Sequence, residues 1–203
     1  MSEDASHQKR ALRAELRERR RNLTQSARQE ATDGITERLI ALTRSLEARS
    51  VSCYLSAMDE PNTRPYINWA RNEGLRVLFP ISREDGLLDW TTATQDEEEY
   101  VGLFGMPEPV GELLGPIAIN DVELIVVPAA AVDGRGMRLG WGRGYYDKTL
   151  GSMERCPPVY AVIFDSELVD EVPRERHDQA IDGVVTPTRT VEFSTRSARH
   201  RRI

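Results

Sequence analysis

Apolar positions in the first fifty residues recur at helical spacing. Leu12 and Leu16 stand among strong helix formers and predict a surface helix from about Gln8 to Arg21. Ser26 with Gln29 resembles a capping box, and Ala31, Ile35, Leu39, Leu42 and Leu46 mark a second amphipathic helix ending before Ser50. The period then shortens. VSCYLS predicts a buried strand, and a helix over about Arg64 to Asn72 follows, with Thr63 as its cap and Gly74 at its end. RVLFPI and GLLDWTTA predict two more strands, and ELIVVPAAAV, residues 123–132, suits a strand covered on both faces. That run leads into a glycine-rich loop, after which YYDKTLGSM opens a helix, PVYAVIF makes a strand and IDGVVTPT a last short one. Strands alternating with helices predict an α/β domain with a largely parallel central sheet.

Length and composition narrow the picture without changing it. A chain of 203 residues buries one substantial core, and with no internal repeat or Ser/Gly linker the expectation is a single domain over residues 1–188. Residues 189–203 read as a basic, mobile tail. Charged residues at 30% and a mean hydropathy of −0.49 describe a soluble globular protein. No stretch approaches the roughly 20 apolar residues of a bilayer span, and MSEDASHQKR lacks the apolar run of a signal peptide, so a cytoplasmic location is expected. Cys53 and Cys156 are too few for a disulfide framework and lie in no zinc pattern; Cys53 reads as a small buried residue rather than a nucleophile. A net charge of −6 argues against wholesale nucleic-acid binding, although residues 9–28 and the tail are Arg-rich and Asp96 to Glu99 are acidic. Lys9, Arg13 and Arg17 share one helix face, which is either a solvated basic face or a phosphate contact.

Five glycines lie between Asp133 and Asp147. Glycine admits positive φ and lets backbone N–H groups approach a ligand, so such a run between strand and helix forms an anion-binding nest to which the helix adds its positive end. Arg135, Arg138 and Arg143 add donors suited to phosphate or carboxylate. Walker A spacing does not occur, and the dinucleotide fingerprint is missed because Gly140 falls one residue late. A long tight turn is the simpler reading of the glycines, but a turn does not also require Trp141, Tyr145, Tyr146 and Asp147. A carboxylate beside a phosphate nest calls for a cation, and magnesium, which takes one or two carboxylates plus substrate phosphates, suits Asp147. Asp182 is either its second carboxylate or a turn aspartate before Gly183.

VPAAAVDGRGMRLGWGRGYYDKTL, together with KRALR, YLSAMDEPNT, FGMPEP and IDGVVTP in that family's order, resembles the 5-formyltetrahydrofolate cyclo-ligases over most of residues 9–188. The resemblance implies a three-layer α/β fold shared with sugar-phosphate isomerases and CoA transferases. It also implies a reaction in which ATP, Mg2+ and 5-formyltetrahydrofolate give 5,10-methenyltetrahydrofolate, ADP and phosphate through a phosphorylated imidate. Carried over by position, Lys9, Arg10, Ala11, Leu12 and Arg13 form a nucleotide-contacting segment, and Arg138, Leu139, Gly140, Trp141, Gly142, Arg143, Gly144, Tyr145 and Tyr146 form an ATP loop. Trp141 to Tyr145 also border the folate, with Leu55 as an apolar wall and Glu60 as acceptor for the pterin N–H groups. Asp147 and Asp182 match magnesium positions, and Lys9, Arg143 and Tyr145 are the catalytic candidates. Trp141 stands where tyrosine is common, and VPAAAVD replaces the more usual VPGLAFD. A monomer or weak dimer is implied, with no nucleic-acid or membrane partner. Two other readings stay open: an enzyme of the same scaffold using ATP on another formamide or carboxylate, and a nucleic-acid binder using the Arg-rich helix and tail.

Overall fold

The computed structural model describes residues 2–92, 99–153, 155–175 and 178–193. In chain order these form α1 (Ser2–Arg21), α2 (Gln25–Ser45), β1 (Ser50–Ser52), α3 (Arg64–Asn72), β2 (Arg76–Ser82), β3 (Leu88–Thr91), β4 (Glu99–Val101), β5 (Pro107–Pro109) and β6 (Leu113–Leu114). After these come β7 (Leu124–Pro128), β8 (Ala131–Asp133), β9 (Arg138–Leu139), α4 (Tyr145–Ser152), β10 (Val159–Val162), β11 (Leu168–Val169), β12 (Gly183–Val185) and β13 (Thr190–Glu192).

The main sheet has the order β13-β12-β10-β7-β1-β2-β3-β6, in which the run from β12 to β2 is parallel and the outer pairings are antiparallel. Side chains of β7 alternate between two cores, as period-2 geometry requires. Leu124 and Val126 pack with Ile35, Leu39 and Leu42 of α2 and Tyr66 and Ile67 of α3, whereas Ile125 and Val127 pack with Leu150 of α4 on the other face. Helices thus cover the sheet on both sides, which makes three layers and explains why the central strands read as unbroken apolar runs. A third, smaller core joins Leu16 of α1 to Ala130, Leu139 and Val172 beside the three-stranded sheet β11-β8-β9. Among the described residues no helix is long and apolar enough to cross a membrane.

Several local expectations change. The first helix begins at Ser2 rather than near Gln8. Thr24, not Ser26, caps α2, its hydroxyl accepting from the Ala27 N–H at 3.2 Å, while Ser26 turns to Glu30. Thr63 stands at the α3 cap position but donates its hydroxyl to the Tyr54 carbonyl at 2.7 Å, so it ties the helix to the chain after β1 instead of capping. The 123–132 run is two strands. Pro128 has no N–H with which to continue a ladder, and beyond it the chain leaves the main sheet to enter the small one. Thr190–Glu192, within the expected tail, adds an antiparallel edge strand to β12. Residues 194–203, and the acidic residues 96–98, lie outside the described residues.

Candidate active site

Between β1 and β7 the strand order reverses: from β1 the chain steps outward to β2, and from β7 outward to β10 and β12. At such a switch point the connections leaving the two strands diverge and open a crevice at their carboxyl ends, where open α/β sheets bind ligands. A cavity of about 1010 Å³ lies there, bordered by Tyr54 and Leu55 after β1, Ser82 at the end of β2 and Pro128 at the end of β7.

One side of the cavity is the glycine loop, which runs from β9 to α4. Gly142 and Gly144 have φ of +97° and +71°, conformations that side chains rarely adopt, and Gly144 stands at the N-terminus of α4. The first N–H groups of α4 have no helical partners, as at any helix start. Helix α1 passes alongside. Arg13 donates from Nε to the Gly140 carbonyl at 2.7 Å, and its guanidinium lies so close to Gly142 that an added Cβ would touch it at 3.4 Å. Burial lowers the Arg13 pKa against the opposing pull of Asp178 and Glu175. The basic face of α1 is therefore not a simple solvated face: Lys9, Arg13 and Arg17 all border the cavity, and Lys9 is 6% exposed.

Charges meet in pairs around this wall. Lys9 Nζ donates to Glu175 at 2.8 Å and Asp178 at 2.7 Å. Arg138 is buried and donates from Nη2 to Asp147 Oδ1 at 2.9 Å. Tyr145 donates its hydroxyl to the Arg83 carbonyl at 2.8 Å, and Arg143 stands exposed at the rim. Glu60 also lines the cavity and accepts the Ala57 N–H at 3.0 Å. Burial raises the Glu60 pKa above the ordinary carboxylate range, while the Ala57 N–H, the Arg20 charge and the nearby Trp141 indole pull it back. That indole N–H does not reach the geometry of a formed hydrogen bond. Burial also pushes the Tyr54 and Tyr146 hydroxyls up, so both are neutral donors at pH 7. The Cys53 thiol is pushed up to about 12 by burial and is no nucleophile.

Unsatisfied polar atoms concentrate here. Of the nine buried side-chain atoms without a hydrogen-bond partner among the described residues, six belong to cavity-lining residues: Arg20 Nη1, Tyr54 OH, Arg138 Nε and Nη1, Trp141 Nε1 and Tyr146 OH. Buried polar groups are ordinarily paired, and leaving them unpaired is costly, so the cavity wall offers a cluster of donors to whatever acceptors enter it, water included.

Most of the expected site is brought together, but four of its members are not. Arg10 and Ala11 are exposed and are not among the cavity-lining residues, because a helix face takes every third or fourth residue and Lys9 and Arg13 already occupy it. Leu12 packs against the small core. The Asp147–Asp182 pair is not assembled either. Asp182 precedes β12, at the amino ends of the parallel strands, where its carboxylate accepts the Val159 N–H at 2.9 Å. Asp147 does border the cavity, with Oδ1 engaged by Arg138 and the Gln179 N–H. Among the described residues no three His, Cys, Asp or Glu side chains group as a metal site. Residues that sequence reasoning left out are Arg20, Glu108, Glu175 and Asp178, all on the cavity wall. Only Glu108 had a signal, in FGMPEP; it accepts the Ser82 N–H at 2.9 Å and the Tyr100 hydroxyl at 2.8 Å.

Fold and site together define an α/β protein with a large cavity at the carboxyl ends of a parallel sheet, between a glycine loop and a basic helix. The sequence pattern of the 5-formyltetrahydrofolate cyclo-ligase family matches residues 5–187, and the chain belongs to that family. It is 34% identical over 185 residues to the 5-formyltetrahydrofolate cyclo-ligase of Mycolicibacterium smegmatis, covering 89% of this chain and 94% of the relative. It is 30% identical to the enzyme of that name from Escherichia coli strain K12, covering 88% of this chain and all of the relative, 100%. The NMR structure of Aquifex aeolicus 5,10-methenyltetrahydrofolate synthetase superposes with a TM-score of 0.76 at 26% identity, covering 92% of this chain and 93% of the other.

Proposed function

We propose that this chain closes 5-formyltetrahydrofolate to 5,10-methenyltetrahydrofolate at the expense of ATP, with Mg2+, releasing ADP and phosphate. The observation that carries the proposal is the orphaned donor cluster, which lines one cavity together with the glycine loop and Glu60. In the reaction the formyl oxygen attacks the γ-phosphorus and ADP departs, leaving a phosphorylated imidate. N10 then adds to the activated carbon and loses its proton, and the C–O bond to phosphate breaks. Such chemistry needs positioned reactants and neutralised charge more than a protein nucleophile.

Lys9, Arg13 and Arg138 stand on the loop side and would meet the phosphates, with Arg143 at the rim. Binding there asks Lys9 to exchange part of its contact with Glu175 and Asp178 for phosphate oxygens. Asp147 would hold Mg2+, which supplies charge neutralisation on the transferring group. Leu55 and Trp141 offer apolar and stacking faces for the folate ring, and Glu60 accepts ring N–H groups while ionised. Tyr145, anchored through its hydroxyl to the Arg83 carbonyl, borders the two halves.

Purified protein given ATP, Mg2+ and 5-formyltetrahydrofolate should develop the near-ultraviolet absorbance of the methenyl product with equimolar ADP. ADP release with another formamide or carboxylate, but no methenyl product, would assign the cavity to a different substrate.

A further inference from the structure

The last turn of α1 carries a guanidinium that contributes one atom, Nη1, to the orphaned donor cluster while its other nitrogens are engaged elsewhere. Arg20 is 1% exposed. Its Nε and Nη2 donate to the two Glu167 carboxylate oxygens at 2.6 and 2.8 Å, and Nη2 also donates to the Ala129 carbonyl at 2.7 Å. Ala129 follows β7 and Glu167 follows β10, so these bonds fasten α1 at the carboxyl ends of two central strands. Burying a cation and a carboxylate is an expensive way to clamp a helix, since a well-packed apolar contact of equal volume does as well or better.

Two features give the charge a second use. Arg20 Cζ lies 4.9 Å from the centre of the Trp141 ring, and Arg17 Cζ lies 5.3 Å from the same ring, so the indole is fixed by cations of the basic helix. Arg20 also borders the cavity with Glu60, whose ionised form its charge favours. The other titratable groups coupled to Glu60 are Tyr54 after β1 and Tyr146 of α4, both neutral at pH 7, which leaves Arg20 as the cation of the set.

We propose that Arg20 is a positioning residue for the folate half of the site: held by Glu167 and the Ala129 carbonyl, it fixes the Trp141 indole and supplies the positive charge opposite Glu60. The inference rests on the folate function proposed above. It makes Arg20 selective in its effects, because the nucleotide half is built from Lys9, Arg13 and Arg138 instead.

The test compares the full-length wild type with Arg20→Lys and with Arg20→Gln/Glu167→Gln, in which two amides can still bond while both charges are gone. For each, the KM for 5-formyltetrahydrofolate, the KM for ATP and the pH dependence of kcat/KM for the folate are measured, with thermal melts to establish folding. In the double variant the folate KM should rise about tenfold with the ATP KM within about twofold, and the acid limb should move to higher pH. Arg20→Lys retains the charge and should keep the wild-type acid limb, yet raise the folate KM because a single ammonium cannot hold Glu167, the Ala129 carbonyl and the indole at once. Equal rises in both KM values, or an acid limb unmoved in the folded double variant, overturn the proposal. Should the double variant not fold, Arg20→Lys decides: a selective rise in folate KM supports the assignment and a wild-type value overturns it. A wild type that forms no methenyl product instead overturns the folate function itself, and is seen before any variant is compared.

Discussion

Replacing Lys9 with alanine tests stability and function at once. Its ammonium lies 2.8 Å from Glu175 and 2.7 Å from Asp178, and the side chains of Lys9 and Asp178 are 7% and 9% exposed. Lys9→Ala would leave Asp178 buried with the Glu175 N–H, at 2.8 Å, as a remaining donor. Breaking a buried pair from one side costs about 3–5 kcal/mol, because the other charge loses both its partner and its water. Glu175 is 31% exposed and can turn outward, so the lower end applies, about 3 kcal/mol. For a chain of this size that lowers the Tm by roughly 6–12 °C. Asp178→Asn in the Lys9→Ala background should recover part of the loss, about 1–2 kcal/mol, by removing a buried charge that has lost one of its cations. At 25 °C, where the variant remains folded, loss of a charged contact to phosphate should raise the ATP KM by roughly 10- to 100-fold with a far smaller effect on the folate KM. Circular-dichroism melts and the methenyl absorbance assay read these quantities. A Tm unchanged in Lys9→Ala, or a double variant no more stable than the single one, would refute the buried-pair reasoning; equal rises in both KM values would refute the nucleotide assignment.

Glu60 should leave a pH signature. Its carboxylate serves the folate only when ionised, and its pKa is raised by burial, so kcat/KM for the folate should fall as pH drops through a value above the ordinary carboxylate range. Glu60→Gln should remove that limb and lower kcat/KM. The linked stability runs the other way: a raised folded pKa means that stability is lost as pH climbs from the unfolded value through the folded one, so Glu60→Gln should melt no lower than wild type at pH 7. Asp147→Asn should raise the Mg2+ concentration needed for half-maximal rate, whereas Asp182→Asn should leave it unchanged and lower the Tm through the weakened bond to the Val159 N–H; a matched Mg2+ defect in both would restore Asp182 to the metal site. Gly183→Ala should destabilise by about 1–3 kcal/mol in a urea titration, since its Cβ would fall 2.3 Å from the Tyr160 ring and 2.7 Å from the Val191 carbonyl; wild-type stability would show that the Tyr160 ring moves aside freely.

Properties that depend on neighbours a few residues apart were legible in the chain. Helical spacing of Ile35, Leu39 and Leu42, the apolar strand around Leu124 to Val127, and the glycine turn into α4 follow from local geometry, and each appears where the pattern puts it. Lys9 and Arg13, four apart, were destined for one helix face whatever that face met. What it met was decided by the path of the chain. Glu175 and Asp178 are 166 and 169 residues from Lys9, and Glu167 is 147 residues from Arg20, so no local pattern marks them as partners. The same limit explains Asp182: an aspartate before Gly183 reads equally as a metal ligand or a turn residue, and only the sheet register sets it at the amino ends of the strands, away from Asp147. Sequence by itself determined the elements and the loop chemistry, because these rest on short-range sterics and periodicity. The tertiary structure decided which charges are buried together, because burial and pairing are properties of the space between elements and not of any one of them.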